Sequence, residues 1–242
     1  MEKIQSVQLL QPWSTFVAKT KLPKFIFDKM IEITDDIHND SDLSFIDLEI
    51  LKFEKVMSYF LDMIREFVIQ QMIQAKPFKQ EEIKNDKWYT SINNMWIVSQ
   101  KDGEFQPCHI HPDSHVSGVL YLKIPEYISD KKKSLHETYL PKNEPMYLFQ
   151  QNTPKKIDGA ITFLNNGVRD PFWGEQRLTI KPEVGDFYLF PSSLQHFVYP
   201  FRSVDGMGER KGVSFNSRFT SKLLEEEKTK NTESEWQKVT CK

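Results

Sequence analysis

The sequence is poor in the features that assign a class at a glance. It holds two cysteines, Cys108 and Cys241, far apart, which excludes a disulfide framework and makes a reducing compartment the simpler setting. Neither sign of charge dominates: 32 basic residues stand against 34 acidic ones, for a formal charge of -2, so there is no clear nucleic-acid signal and none for an anionic membrane. No window approaches the ~18 apolar residues of a membrane span. The start, "MEKIQSVQLLQPW", lacks the basic opening and long apolar stretch of a secretory signal, and a cytoplasmic protein is expected. No internal repeat and no GxGxxG-type loop is present.

What the chain does have is aromatic residues, 13% of the total, crowded into the second half beside many β-branched residues, a composition that favours sheets there. The first third reads as a flank, 1–85, with a short strand around Thr15 to Ala18 and then helices. "LPKFIFDKMIEITDDI" begins with Pro23 at a helix-start position. From Ser44 to Gln74, apolar residues such as Leu51, Val56, Phe60, Ile64 and Phe67 recur at spacings of three and four. The spacing predicts one long amphipathic helix bracing a sheet.

Near residue 85 the period changes to that of short strands and turns. A β core over 86–220 is expected, with "YTSINNMWIVSQ", "QPCHIHP", "VSGVLYLKI", "GAITFLNN", "RLTIKPE", "GDFYLFPS", "LQHFVYPF" and "KGVSFNSRF" as about eight strands. That number suits a jelly roll or another antiparallel two-sheet fold. The Lys- and Pro-rich segment 125–156 reads as an inserted surface lobe, and 221–242 as a charged tail.

Within "CHIHPDSHVSG" three histidines and an aspartate fall in seven positions of a chain with only six histidines. Alternate side chains of a strand share a face, so His109, His111 and, if the strand persists, Asp113 point the same way. The best remote candidate is His196, which opens a strand after "FPSS". Two adjacent ligands and one remote ligand form a facial triad that leaves metal positions open, as in non-heme Fe(II) oxygenases. His115 falls where the chain must turn after Pro112; His38 and His136 read as ordinary polar residues.

Taken together, His109, His111, Pro112, Ser117, Gly118, Val119, Tyr121 and Leu122, then Pro182, Gly185, Asp186, Phe190, Pro191, His196, Val198 and Pro200, then Arg210 and Val213 to Asn216, resemble a known pattern. It is that of the 2-oxoglutarate- and Fe(II)-dependent oxygenases of the phage and marine-bacterial type, over roughly Trp88 to Phe219. The resemblance implies a mainly β (α+β) fold, with a double-stranded β-helix (jelly roll, cupin-like) core and N-terminal helices packed on one sheet. It also implies Fe(II) as cofactor and 2-oxoglutarate as cosubstrate, with hydroxylation coupled to release of succinate and CO2. The wider superfamily's H-x-D/E…H would take His111, Asp113 and His196; the narrower group's steady H-x-H favours His109, His111 and His196, with Asp113 as rival or supporting partner.

For the cosubstrate the resemblance points to Arg210, a two-pronged partner for a carboxylate, with Arg218 as alternative. Arg210-Lys211-Gly212 departs from the familiar R-x-S. Tyr121 and Asn94 are further cosubstrate-binding candidates. The loop "NNGVRDPFWGEQ" offers Arg169 and Trp173 for substrate. Expected partners are a small-molecule or peptide substrate, such as a prolyl residue or a metabolite, and a homodimer is compatible with the chain; a phage-encoded protein would work in host cytoplasm. Two other readings stand beside this one: a metal-dependent cupin enzyme that does not use 2-oxoglutarate, and a non-catalytic metal-binding β-sandwich.

Overall fold

Strands with apolar side chains on both faces need two cores, one on each side of their sheet. A computed structural model, which describes residues 8–10, 15–37, 43–75, 77–131, 157–164 and 177–229, supplies both. Its strands are β1 (Gln8–Leu10), β2 (Val17–Lys21), β3 (Leu43–Phe45), β4 (Trp88–Lys101), β5 (Gln106–His109), β6 (Val116–Lys123), β7 (Ile161–Leu164), β8 (Arg177–Ile180), β9 (Asp186–Pro191), β10 (Gln195–Val198) and β11 (Glu209–Ser221). The helices are α1 (Lys24–Asp35), α2 (Leu48–Phe53), α3 (Val56–Ala75), α4 (Gln80–Asn85) and α5 (Ile128–Lys131).

Two sheets form, in the orders β1-β2-β9-β6-β11-β4-β3 and β5-β10-β7-β8, with every pairing antiparallel. From β4 to β11 the chain passes back and forth between them, which is the winding of a double-stranded β-helix. The alternation along each strand then sorts the side chains. On the outer face of the larger sheet, Leu120, Phe187 and Phe215 join Met30, Phe60 and Ile64 from α1 and α3. On the inner face, Tyr121, Tyr188 and Phe190 meet Ile161, Phe163 and Val198 of the smaller sheet. The helices thus seal one face of the larger sheet and leave the other for the cavity between the sheets. Gly118 of β6 is required by this packing, since a Cβ there would lie 2.4 Å from Phe215 Cζ.

One expectation is corrected. The spacing over 44–74 predicts a single helix, but the chain forms β3, α2 and α3 in turn. Lys55 adopts φ 59°, left-handed backbone that ends α2, and Asp47 caps α2 by accepting the Glu49 N–H at 2.9 Å. Helical periodicity survives such a break because both pieces bury the same face. In the lobe, 125–131 are described; the remainder of it, with His136, lies outside the described residues, as do His38, Cys241 and 230–242.

The N-terminal flank is fastened to the core by charge. Asp186, at the start of β9, is fully buried. It accepts hydrogen bonds from the Tyr188 hydroxyl and the Glu183 N–H, both at 2.9 Å. It also pairs with Lys19 at 2.9 Å and Lys21 at 2.8 Å, both on the neighbouring β2. Burial raises its pKa, but Lys21, the Glu183 N–H and Lys19 together outweigh that and hold the carboxyl below the ordinary 3.8. The contribution of this cluster is therefore present above the ordinary carboxylate range and is lost as pH falls through the folded-state value. Asp186→Asn leaves two lysines facing a neutral amide and is expected to cost about 3 kcal/mol in chemical denaturation, with a weaker acid dependence of stability than the parent.

Candidate metal centre and cosubstrate pocket

Antiparallel pairing of β5 with β10 sets His109 directly opposite His196. β5 ends at His109, and the His111 N–H then donates to the Ser192 carbonyl at 2.9 Å, which turns the His111 ring back over the same spot. The ring centroids lie 4.3 Å (His109 to His196), 5.1 Å (His109 to His111) and 5.1 Å (His111 to His196) apart. One ring nitrogen from each histidine falls within 4.8 Å of the other two.

The rings are oriented as metal ligands need to be. Nδ1 of His109 lies 2.7 Å from the Pro107 carbonyl, and Nδ1 of His196 lies 2.9 Å from that of Leu194. Each Nδ1–H donates to its carbonyl, so the lone pair sits on Nε2 and points into the cluster. Nε2 of His111 lies 3.3 Å from Nε2 of His196. Burial, together with the neighbouring His109, pushes His111 down to about 4. Burial, only partly opposed by the Leu194 carbonyl, pushes His196 down to about 3. Both are neutral at ordinary pH, the form that binds metal. Phe190, 4.8 Å from His196, and Trp96, 5.8 Å from His111, wall the cluster.

Asp113 lies outside the cluster. The alternation that would carry it beside His111 stops at the turn after Pro112, where Asp113 takes φ 61° and is exposed; its carbonyl accepts from Arg218 Nε at 2.8 Å. His115 is tied elsewhere, with Nδ1 accepting the Phe219 N–H at 3.1 Å.

The cavity that begins at the histidines runs between the sheets to Arg210, with Tyr121 and Gln100 also in its wall. Arg210 is 4% exposed and forms no ion pair among the described residues. Its Nη1 donates to the Gly159 carbonyl at 2.6 Å, and the guanidinium lies 5.7 Å from the Tyr121 ring centre and 5.9 Å from that of Phe201. Gly159 is needed for this grip: it takes φ 64°, and a Cβ would meet the Tyr127 hydroxyl at 2.3 Å. Burial pushes the Tyr121 phenol up to about 12, so it keeps its proton.

His109, His111, His196, Tyr121 and Arg210 thus share one cavity. Asn94, opposite Asn216, is not in its wall; Arg218 is exposed; Arg169 and Trp173 lie outside the described residues. Sequence reasoning passed over Trp96, Gln100 and Gly159. The first two were within reach, since alternation along β4 puts 96, 98 and 100 on one face, but a glutamine in a strand reads as solvent-facing.

Residues 94–216, just over half of the chain, match the model of a family described as "Putative 2OG-Fe(II) oxygenase". The chain belongs to this family. It is an oxygenase that uses Fe(II) and 2-oxoglutarate, an oxidoreductase. Curated proteins give no match. Among solved structures, this oxygenase is similar to a 2OG-Fe(II) oxygenase family oxidoreductase from Burkholderia pseudomallei, at 11% identity, covering 83% of this chain and 84% of that one, TM-score 0.46. A Pseudomonas putida prolyl-4-hydroxylase is 16% identical, with coverages of 84% and 92% and TM-score 0.44. A viral collagen prolyl hydroxylase from Paramecium Bursaria Chlorella virus-1, in its 2OG complex, is 15% identical, with coverages of 84% and 94% and TM-score 0.45. Among the oxygenase's described residues, no helix is long and apolar enough to cross a membrane.

The depressed histidines couple stability to pH. The unfolded chain takes up these protons near the ordinary 6.5, the folded chain only near 4 and 3, so protons favour unfolding as pH falls below about 6.5. The metal-free protein is expected to lose thermal stability between pH 7 and pH 5. His196→Gln, which cannot titrate, should flatten that slope; an unchanged slope would contradict the burial of His196.

Proposed function

We propose that His109, His111 and His196 are the protein ligands of the Fe(II) and that Arg210, with Tyr121, anchors the distal carboxylate of 2-oxoglutarate. The observation that carries this reading is the convergence of three imidazoles, each with a ring nitrogen within 4.8 Å of the other two, with two Nδ1 atoms already engaged by backbone carbonyls. Imidazole nitrogens suit iron, and three on one face leave the remaining positions open. The donor set therefore fits the metal. At the other end of the same cavity, a buried guanidinium without an ion-pair partner among the described residues fits a carboxylate.

When bound, the iron centre supplies the activation of O2 that couples decarboxylation of 2-oxoglutarate to hydroxylation of the substrate. The protein's residues hold and shield. The Pro107 and Leu194 carbonyls fix the histidine rings, Phe190 and Trp96 exclude water from one side, and Tyr121, protonated throughout the working range, offers a hydrogen bond where the carboxylate lies against Arg210. The substrate that meets the triad is a peptide side chain, prolyl included, or a small metabolite. With two cysteines in the chain, a reducing, cytoplasmic setting is the simpler one.

Single alanine substitutions measured by iron binding test the ligand set. H109A, H111A and H196A are each expected to lose iron by roughly tenfold or more, and D113A to retain it. Iron lost in D113A but kept in H109A would replace His109 by Asp113. Under anaerobic conditions, Fe(II) plus 2-oxoglutarate should give a weak visible charge-transfer band with the parent protein and D113A. R210M should require about tenfold more 2-oxoglutarate for that band at unchanged iron affinity.

A further inference from the structure

Among the described residues, Gln100 lies in the cavity wall with a buried side-chain amide that has no hydrogen-bond partner in the protein. It is 4% exposed, and among the described residues neither its Nε2 nor its Oε1 has a hydrogen-bond partner. A buried amide of this kind normally has both atoms satisfied. Its place is specific: on β4 it is the register partner of Arg210 on β11, and both side chains face the cavity. The next pair on the same face, Val98 with Gly212, is apolar. The polar level formed by Gln100 and Arg210 is therefore set apart from the histidines by a stretch without charge.

We propose that Gln100 is the second protein anchor of the cosubstrate's distal carboxylate, a positioning residue that acts beside Arg210. The inference rests on the cosubstrate reading of Arg210. The donor and acceptor inventory supports it. A carboxylate only accepts, so it takes N–H groups of the guanidinium and one N–H of the Gln100 amide. One Arg210 nitrogen is engaged with Gly159, and a guanidinium has five N–H donors, which leaves one for Gln100 Oε1. Ligand binding then satisfies the orphan Nε2, since a carboxylate accepts its N–H. A glutamine also contributes without charge: it adds a donor to the anion while leaving the cation unneutralised, as a glutamate would not.

The test uses full-length protein loaded anaerobically with Fe(II) and titrated by calorimetry with 2-oxoglutarate and with 2-oxobutanoate, which has the same 2-oxo acid end but no distal carboxylate. Gln100→Met is expected to weaken 2-oxoglutarate about tenfold and to leave 2-oxobutanoate unchanged. Its metal-free thermal midpoint should hold or rise, because a buried amide with orphan atoms has been removed. Gln100→Glu, which places a carboxylate against Arg210, should weaken 2-oxoglutarate further still. Parent-like 2-oxoglutarate binding in either variant overturns the proposal, as does an equal loss for both oxo acids. A parent protein that binds iron but no 2-oxoglutarate overturns the reading of Arg210 and this inference with it.

Discussion

Everything chemical in this protein depends on the pairing of two short strands. β5 and β10 are four residues each, and their register sets His109 against His196 although 86 residues separate them in the chain. A slip of one residue would turn the histidine of either strand to the other face. The register is held on the far side of β10 by four successive pairs with β7, from Gln195–Leu164 to Val198–Ile161, and the Leu194 carbonyl just before β10 orients the His196 ring. The same backbone therefore fixes both where the ring is and which nitrogen it presents.

That arrangement requires a rigid larger sheet behind it. β4 and β11 pair over their whole lengths with a single irregularity, between Asn216 and Ser217, and β6 lies on the other side of β11. Because α1 and α3 cover the outer face of this sheet, its inner face is free to carry groups that a hydrophobic core would reject. Arg210 is the clearest of them. A guanidinium at 4% exposure is tolerated because one carbonyl and two aromatic faces share its charge. That carbonyl belongs to Gly159, where any side chain would collide with Tyr127. A pocket cation is thus held by residues remote in sequence, with no carboxylate among the described residues to neutralise it.

Much of this was legible in the residues and some was not, for physical reasons. The strands from β4 to β11 fall where the period-two stretches lie, since alternation is a local property of the chain. The pairing of His196 with the H-x-H element was readable because few histidines compete for the role. The break at Lys55 was hidden, because a left-handed residue other than glycine carries no composition signal and the apolar face continues through it. The place of Asp113 hung on whether the strand persists: alternation holds only while the backbone stays extended, and the turn after Pro112 ends it. Gln100 and Gly159 were missed for opposite reasons, the first because a polar residue on a strand is taken as solvated, the second because its neighbour across the fold, Tyr127, is 32 residues away in the chain.

The two ends of the cavity solve one electrostatic problem in complementary ways. At the histidine end, burial holds His111 and His196 neutral, so their nitrogens face a cation without having to lose a proton. At the Arg210 end, burial cannot remove the charge, since a guanidinium stays protonated, and a fixed positive site results. A pocket that is neutral and donor-rich at one end and cationic at the other discriminates by length and polarity together: it favours a molecule that brings metal-binding oxygens to the first and an anion to the second. Val98 and Gly212, apolar and uncharged, pair between the polar level and the triad. The proposed roles of the two ends rest on this separation of charge along the cavity more than on any one side chain.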